Sequence, residues 1–584
     1  MIFKPLQRRI VRGTLKSDMI VKELKKLVQK ALKEDIEVVF EHPENPEHGD
    51  YSTNVALILG QQSGQNPKDI AEKLQESIKK TEIISKIEVA GPGFLNFFLS
   101  KEYFVGELKE IVRQKEKYGS GKEKKTIVID YSSPNIAKAF GIGHLRSTII
   151  GRAIYNLYGF LGWKTVGINH LGDWGTQFGK LLYQIEKEGL KENDFTNEKL
   201  EELYVQFHKD ELEGGNRQQL EEEARVWFKK LEDGDKKARK LWKTVKNISI
   251  KEFNRIYELL GIKFDYVLGE SFYEPMLKEI VEEAKKKGLV KKSRGALIVE
   301  FPEEKLPPAI LLKSDEATNY FTRDLATVKY RLKKWKPDTI IYEVGAEQTL
   351  HLKQVFWAVE LLGWAKREKF KHVAHGLYRT QQGKFSTRKG QTIHLEEVLE
   401  DAIARAKEII EKSETARGLS VKEKDNVAKT VGIGSVKYND LMQHPSSDIV
   451  FDWDKILNLK GNSAPYLQYT YARCKSILLQ SSLARVSYSH LTESKISTEE
   501  EKVLRLLYRF PEVVRDAAEN FSPNLVASFV FDVAQAYNNF YNTHRVLQAE
   551  TEEVKQFRLV LTKACAQIIQ NSLSLLGIKT VERM

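Results

Sequence analysis

A histidine and two glycines lie where an apolar run, TIVID at 126–130, gives way to a helical pattern at 145–162. The run is typical of a buried parallel strand. Gly141 and Gly143 let the backbone approach a nucleotide ring closely, and His144 can donate a hydrogen bond to a phosphate oxygen. The free N–H groups and the positive dipole end of a helix also favour phosphate. The segment therefore predicts that the protein handles a nucleotide.

A tight turn is the alternative interpretation of this junction. Gly141 and Gly143 lack the third glycine of a dinucleotide-binding fingerprint. Two other glycine-rich segments fail as phosphate loops: GSGK at 119–122 precedes the strand and is followed by Glu123, and GPGF at 91–94 precedes no convincing helix. Taken alone, the junction leaves nucleotide binding open.

The composition bounds the class of protein. The chain has 584 residues, enough for about three or four domains, and its 41% hydrophobic and 30% charged residues are ordinary for a soluble globular protein. No apolar stretch reaches membrane-span length, so no membrane partner is expected. Cys474 and Cys565 are too far apart in the sequence to suggest a disulfide framework or a zinc site. A metal site at His351, His372 and His375 is not expected, because no cysteine or HExxH motif accompanies them.

The net charge of +12 is compatible with a polyanionic partner but is also common in lysine-rich proteomes. The first 17 residues contain several basic residues and no acid, which is compatible with an organelle-targeting leader. Met19 opens a better helical pattern, so an irregular start is favoured. The expected location is the cytoplasm, with mitochondria as the alternative.

The chain divides by pattern into successive parts. Strand-like and helical segments mix before the charged linker at 113–125, and β-like runs then alternate with helical patterns up to about residue 395. Such alternation is the signature of a parallel sheet with helices on both faces. The predicted parts are an irregular leader (1–20), an N-terminal additional domain (21–118), a catalytic domain (119–395) with a helical insertion at about 180–260, a helical connecting region (396–460) and a helical bundle (461–584).

Aromatic residues lie beside cations in the C-terminal helices. Tyr466, Tyr469 and Tyr471 neighbour Arg473, and a second such stretch runs from 537 to 545. Aromatic rings next to arginines suit stacking on unpaired RNA bases together with phosphate contacts. About half of these rings are expected to be bundle core instead.

An ordered set of motifs makes the prediction specific. The set comprises SSPNIAKAFGIGHLRS (132–147), NHLGDWGTQFG (169–179), NYFTRDLA (319–326), AEQTLH (346–351), GKFSTRKGQTIHLEE (383–397), VKYNDLMQ (436–443), NSAPYLQY (462–469) and VERM (581–584). In this set the chain resembles arginyl-tRNA synthetase, a class I aminoacyl-tRNA synthetase, from about residue 21 onward. The resemblance implies a Rossmann-like α/β catalytic domain, an N-terminal α+β domain that contacts tRNA and an all-α anticodon-binding bundle.

The resemblance also implies the site residues. GIGH at 141–144 stands where the family has HIGH, and KFSTR at 384–388 stands where it has KMSKS; these segments bracket ATP, a substrate that comes with Mg²⁺, and no zinc is expected. The implied ATP-binding residues are Gly141, Gly143, His144, Lys384, Phe385, Ser386, Thr387 and Arg388. The implied arginine-binding residues are Asp130, Ser132, Ser133, Asn135, His144, Tyr320, Asp324 and Gln348. A guanidinium requires a carboxylate, which Asp324 can supply beside the hydroxyl of Tyr320.

Two positions depart from the signatures. Gly141 replaces the first histidine of HIGH, and Thr387 replaces the usual catalytic lysine of KMSKS. In the family a lysine just upstream of HIGH is thought to compensate for the second change, and Lys138 occupies that place. The implied catalytic residues are Lys138, His144, Lys384, Arg388 and Lys389.

The two ends of the chain are expected to bind tRNA. By resemblance, Phe94 and Asn96 contact its D-loop corner, and 461–475 and 506–520 approach it. The implied bundle contacts are Tyr466, Gln468, Tyr469, Arg473, Tyr537, Asn539 and Tyr541. The expected function is ligation of L-arginine to arginine tRNA by a monomer. The alternatives are a paralogue that binds tRNA or ATP without efficient activation, and another class I nucleotidyl transferase, which would lack the C-terminal bundle.

Overall fold

The computed structural model describes residues 19–32, 36–79, 81–138, 140–191, 194–213, 217–301, 306–380, 383–384, 394–413, 416–481 and 496–584. For Thr380 and for 383–384 the description covers the backbone alone. Residues 1–18 of the predicted leader and residues 385–389 of the KMSKS-like segment lie outside the described residues, and residues 19 and 20 already belong to the first helix.

Helices dominate the secondary structure. The helices are α1 (Met19–Ala31), α2 (Val55–Ser63), α3 (Pro67–Ser77), α4 (Lys101–Gln114), α5 (Gly143–Phe160), α6 (Thr176–Lys187), α7 (Asn197–Glu213), α8 (Arg217–Glu232), α9 (Lys236–Leu260), α10 (Leu277–Lys286), α11 (Tyr320–Trp335), α12 (Thr349–Leu361), α13 (Leu395–Lys412), α14 (Val421–Leu441), α15 (Trp453–Ile456), α16 (Ala464–Gln480), α17 (Thr498–Leu507), α18 (Phe510–Glu519), α19 (Asn524–Thr543) and α20 (Glu552–Leu575). The strands are β1 (Tyr51–Thr53), β2 (Ile84–Ala90), β3 (Phe94–Leu99), β4 (Thr126–Asp130), β5 (Lys164–Asn169), β6 (Tyr266–Val267), β7 (Val290–Ser293), β8 (Ala296–Phe301), β9 (Leu306–Leu312), β10 (Thr339–Gly345), β11 (Phe370–His375), β12 (Tyr378–Thr380), β13 (Gly383–Lys384) and β14 (Ile449–Val450). Among the described helices, none is long and apolar enough to cross a membrane.

One compact unit comprises residues 121–465 together with Leu575–Ile578. Its central sheet has the order β11-β10-β4-β5-β6, and every pair in it is parallel. Ile127, Val128 and Ile129 are all fully buried, as a strand covered on both faces requires. A second, antiparallel sheet of β7, β8 and β9 shares a hydrophobic core with the central one. The predicted α/β domain with a parallel sheet is confirmed.

The short segment Leu575–Ile578 is held to this unit by hydrogen bonds. The buried Lys437 in α14 donates from Nζ to the carbonyl of Gly577 at 2.5 Å and to that of Leu260 at 2.8 Å. Asn156 in α5 donates to the carbonyl of Leu575 at 3.1 Å. One buried ammonium therefore joins α14 to the end of α9 and to a segment far along the chain.

The other unit comprises residues up to Ser120, Tyr466–Ser574 and Lys579–Met584. It contains an antiparallel sheet of order β1-β3-β2 and the helices α16 to α20. His42 is 2.7 Å from Glu512, whose other carboxylate oxygen accepts a hydrogen bond from Tyr51. An N-terminal α+β part and a C-terminal helical part are thus both present, as predicted, and they pack within one unit.

Candidate active site

The loop between β4 and α5 is strained. Ser132, Ser133 and Ala137 have φ angles of 73°, 45° and 60°, which L-residues adopt at a cost of about 1–3 kcal/mol each. Ser132 Oγ shares hydrogen bonds of 2.7 Å with Thr148 and 2.8 Å with Tyr257. These contacts hold a backbone path that leads from the sheet to the start of α5, where a ligand was predicted.

Helix α5 begins at Gly143, and its N-cap residue Ile142 provides no side-chain hydrogen bond to the helix start. His144 lies half-buried against Phe140, with ring centroids 5.2 Å apart. Burial lowers the pKa of His144 to about 4, so the imidazole is neutral at physiological pH. Its Nδ1 is buried and has no hydrogen-bond partner among the described residues. A neutral ring at an uncapped helix start can donate a hydrogen bond to an anion.

Lys138 stands on the side of this loop that faces the helical insertion. Its Nζ lies 5.0 Å from the ring centroid of Tyr204 in α7, a cation–π geometry. Both the lysine and a set of glutamates, among them Glu198, Glu201 and Glu252, line a pocket of about 180 Å³. The ammonium is thus held near the start of α5 by an aromatic face and nearby carboxylates.

Asp130 is paired within the protein. Its Oδ2 is 2.6 Å from Arg331 Nη2, both side chains are buried, and its Oδ1 accepts a hydrogen bond of 2.9 Å from Ser133. Burial alone would lower the pKa of Arg331, but the charge of Asp130 leaves that pKa raised. A direct contact of Asp130 with arginine stays a prediction.

Asp324 and Tyr320 lie on the first turns of α11. The side chain of Asn319 caps this helix by accepting from the N–H groups of Phe321 and Thr322. Asp324 Oδ2 is 2.5 Å from His351 Nε2, and the ring of Tyr320, which is 60% exposed, meets the His351 ring edge-on at 4.8 Å.

The carboxyl of Asp324 is the ionised group of this cluster. Burial raises the pKa of Asp324, but the hydrogen bond and charge of His351 outweigh burial and hold the pKa below its ordinary value. The sequence pointed to Asp324 and Tyr320 but not to the histidine that orients them, although AEQTLH contains it.

A second carboxylate, Glu270, interacts electrostatically with Asp324. Burial raises the pKa of Glu270 to about 8; Arg323 opposes this shift, and the negative charge of Asp324 adds to it. The guanidinium of Arg323 is 3.7 Å from Glu270 and 3.8 Å from Glu274. Glu270 was not among the predicted site residues. It follows β6, at the carboxyl edge of the parallel sheet, and a strand of two residues gives no signal in the sequence.

Asn135 and Gln348 complete the predicted arginine-binding set. The backbones of Asn135 and Gly172 form an isolated parallel β-bridge. A Cβ atom added at Gly172 would lie 1.8 Å from Asn135 Oδ1. A larger residue at position 172 would therefore displace the amide. Gln348 is exposed at the end of a short 3₁₀ turn, Ala346–Gln348, that follows β10.

The predicted ATP loop is described only at its base. Lys384 in β13 pairs with Arg379 in the antiparallel β12–β13 ladder. Phe385, Ser386, Thr387, Arg388 and Lys389 lie outside the described residues, so their predicted roles stay predictions.

Comparison with known proteins finds relatives that match nearly the whole chain. Residues 107–453 match the family described as tRNA synthetases class I (R), catalytic domain; residues 16–99 match the arginyl tRNA synthetase N terminal domain, and residues 467–584 match the DALR anticodon binding domain. The chain is 41% identical over 570 residues to an arginine–tRNA ligase of Clostridioides difficile, covering 96% of this chain and 98% of the relative. It is 42% identical over 578 residues to that of Clostridium botulinum strain Langeland, covering 96% and 100%.

The chain belongs to the arginyl-tRNA synthetase family. The crystal structure of the arginyl-tRNA synthetase from Plasmodium falciparum superposes with a TM-score of 0.82 at 27% identity, covering 97% of this chain and 99% of the other. The class I assignment and the three-part architecture inferred from the motifs are confirmed.

In this arginyl-tRNA synthetase the C-terminal helices carry a built aromatic cluster. The guanidinium of Arg473 in α16 lies 4.9 Å from the ring of Tyr469 and 4.9 Å from that of Tyr541 in α19. Arg473 donates to Asn538 at 2.6 Å, and Asn538 donates to the hydroxyl of Tyr466 at 2.9 Å. Four of the predicted tRNA contacts therefore lie together.

Other predicted tRNA contacts have internal partners. Gln468 is buried and donates to the carbonyl of Lys579, and the buried Tyr537 donates to Thr562. In the N-terminal part, Asn96 is buried and accepts a hydrogen bond of 2.8 Å from Ser52, while Phe94 is half-buried. Asn539 is exposed on α19. Contact of these residues with tRNA stays a prediction.

Proposed function

We propose that the enzyme recognises the guanidinium of L-arginine with two carboxylates, Asp324 and Glu270, during ligation to arginine tRNA. The observation that carries this proposal is the placement of Asp324, 2.5 Å from His351, and of Glu270, just after β6 at the carboxyl edge of the sheet. The opposite pKa shifts, lowered for Asp324 and raised for Glu270, support it. A planar guanidinium offers five N–H donors and pairs bidentately with carboxylates. When arginine binds, Glu270 would release its proton, and the guanidinium would supply the positive charge that balances the two carboxylates.

The reaction of an arginine–tRNA ligase has two steps. The carboxylate oxygen of arginine attacks the α-phosphate of ATP, which forms arginyl-adenylate and releases pyrophosphate. A ribose hydroxyl at the 3′ end of tRNA then loses its proton and attacks the arginyl carbonyl, which forms arginyl-tRNA and releases AMP. Guanidinium recognition should make editing unnecessary, because an analogue that lacks the group leaves two half-buried carboxylates without the cation they bind.

The start of α5 is the site proposed for the phosphates of ATP. His144 is neutral there and can donate a hydrogen bond to a phosphate oxygen, and Gly141 and Gly143 leave room for the nucleotide. Mg²⁺ is proposed as the companion of ATP, bound through phosphate oxygens and neutralising charge on the leaving pyrophosphate. Lys138, held at this loop by Tyr204, is proposed as the cation that stabilises the same charge.

The tRNA is proposed to bind through the Arg473 cluster, where a base can stack on Tyr469 or Tyr541. The enzyme is proposed to act as a monomer in the cytoplasm. The full-length similarity to bacterial arginine–tRNA ligases supports this location.

The test is arginine-dependent exchange of pyrophosphate into ATP, measured with and without arginine tRNA. Wild type should exchange with arginine and not with lysine, whereas a paralogue that only binds would exchange with neither. Asp324→Asn should lose exchange, while Asp425→Asn, which removes an exposed carboxylate paired with Lys407, should retain it. Equal exchange by both variants would refute the assignment of Asp324.

A further inference from the structure

A cleft of about 610 Å³ opens in the unit that contains the bundle. One wall is the segment from His42 to Asp50, and the other walls are α17 and α19 with the turn that follows α17. On α19 the cleft-lining Asp532 and Asn539 lie roughly 160–180° around the helix from Tyr541 of the Arg473 cluster, at about 100° per residue. The cleft is therefore distinct from the aromatic cluster.

The α19 wall is a row of polar side chains. Asp532, Gln535, Asn539 and Asn542 recur at helical spacing, all are exposed, and all line the cleft. Each side-chain amide offers both a donor and an acceptor. Such a row can pair with the edge of a planar heterocycle, as Asn and Gln do with adenine.

The opposite wall is held in place by charge. Arg505 is ion-paired with Asp50, which joins α17 to the N-terminal segment, and it also pairs with Glu501 at 2.8 Å. Nearby, Arg509 Nε is buried and has no hydrogen-bond partner among the described residues. The cleft is thus pre-formed, and the Nε–H of Arg509 remains available to donate a hydrogen bond to a ligand.

The charges that line the cleft indicate the class of ligand. Cationic Lys502 and Arg509 are offset by Glu499 and Asp532, so a free polyphosphate would face carboxylates. A neutral base with donor and acceptor edges suits this mixture, with its phosphate near a cation at the rim. The volume is within the range of sites that hold a nucleotide-sized ligand.

We propose that this cleft binds one unpaired nucleotide splayed out from the loops of the tRNA, at a place separate from the Arg473 cluster. The inference rests on the proposed function, because it takes tRNA as the substrate. The amides of Gln535 and Asn542 read the edge of the base, and the Pro43–Pro46 side of the cleft covers its face.

The first test measures the dissociation constant of an unmodified arginine tRNA transcript. The variant Gln535→Ala/Asn542→Ala should bind it roughly tenfold more weakly than wild type. The matched control is Ser528→Ala, which removes an exposed polar group from the same face of α19 one turn before Asp532 and outside the cleft. Thermal unfolding should be the same for both variants, and so should arginine affinity. If the double variant binds tRNA like the control, the proposal is overturned.

The second test locates the base. A set of transcripts, each with one unpaired loop nucleotide replaced by an abasic linker, is titrated against wild type and the double variant. At one position the abasic linker should weaken binding to wild type about tenfold, the same factor as the double variant loses with intact tRNA. The same linker should not weaken binding to the double variant any further, which indicates a direct interaction between the base and the two amides. Independent losses at every position would overturn the proposal. Failure of wild type to bind or aminoacylate any transcript would instead refute the proposed function.

Discussion

Arginine binding to this enzyme should strengthen steeply as the pH rises from 6 to 8 and should release a proton. The cause is Glu270, whose pKa burial raises to about 8. A protonated carboxyl cannot form the charged bidentate pair with a guanidinium, so the fraction competent for tight binding is the ionised fraction. With a pKa of about 8 that fraction is roughly one in a hundred at pH 6 and roughly one in ten at pH 7.

The magnitude follows from that fraction. The apparent dissociation constant equals the intrinsic one divided by the competent fraction, so it should fall about tenfold from pH 6 to pH 7 and about fivefold more by pH 8. Isothermal titration calorimetry with arginine, in two buffers that differ in ionisation enthalpy, should show release of nearly one proton per arginine at pH 7.

Two variants separate Glu270 from its neighbours. Glu270→Gln should bind arginine with little pH dependence and without proton release. Glu274→Gln, which removes the other carboxylate beside Arg323, should keep the slope of wild type. A wild-type affinity that does not change between pH 6 and 7, or the same slope in Glu270→Gln, would refute the two-carboxylate site.

Three further outcomes are expected. Asp324→Ala should weaken arginine binding by about 3–5 kcal/mol, measured by calorimetry, because it leaves a cation without its ionised partner; unchanged affinity in a folded variant would contradict this role. Lys138→Ala should lower the single-turnover rate of adenylate formation by about 10²–10³ with little change in arginine affinity. If this variant is faster than the alanine variants at Lys384 and Lys389, the proposal that Lys138 compensates for Thr387 is wrong. In the empty enzyme Glu270 keeps a proton that the unfolded chain releases above about pH 4.5, so its contribution to stability is lost as pH rises toward 8. The thermal unfolding temperature of Glu270→Gln should therefore rise relative to that of wild type between pH 5 and 8. A difference between the two proteins that stays constant over this range would exclude the linkage.

The strand, loop and helix around His144 could be predicted because their signals are local. An apolar run of five residues marks β4, the glycines mark the crossing, and the helical pattern marks α5. The alternation of strands and helices was enough to predict the parallel sheet. Motif order then placed Asp324 and Tyr320 in one site.

Pairings between distant segments could not be predicted. Arg331 neutralises Asp130 from another element, and nothing near Asp130 in the sequence marks that partner. His351 was part of a quoted motif, but its contact with Asp324 depends on how α12 packs against α11. Glu270 follows β6, a strand of two residues that is too short to have a periodic signal. Its place in the site becomes visible only when the sheet order is known.

The carbonyl of Gly577 that Lys437 binds has a consequence for how the chain is made. During synthesis an emerging domain usually folds as a unit, from the N-terminus onward. Here the catalytic unit lacks Leu575–Ile578 until ribosomes have translated through the whole bundle, and until then the ammonium of Lys437 lacks one acceptor. Nascent chains halted near residue 460 should therefore hold an incomplete catalytic unit, and its last contacts should close only after release.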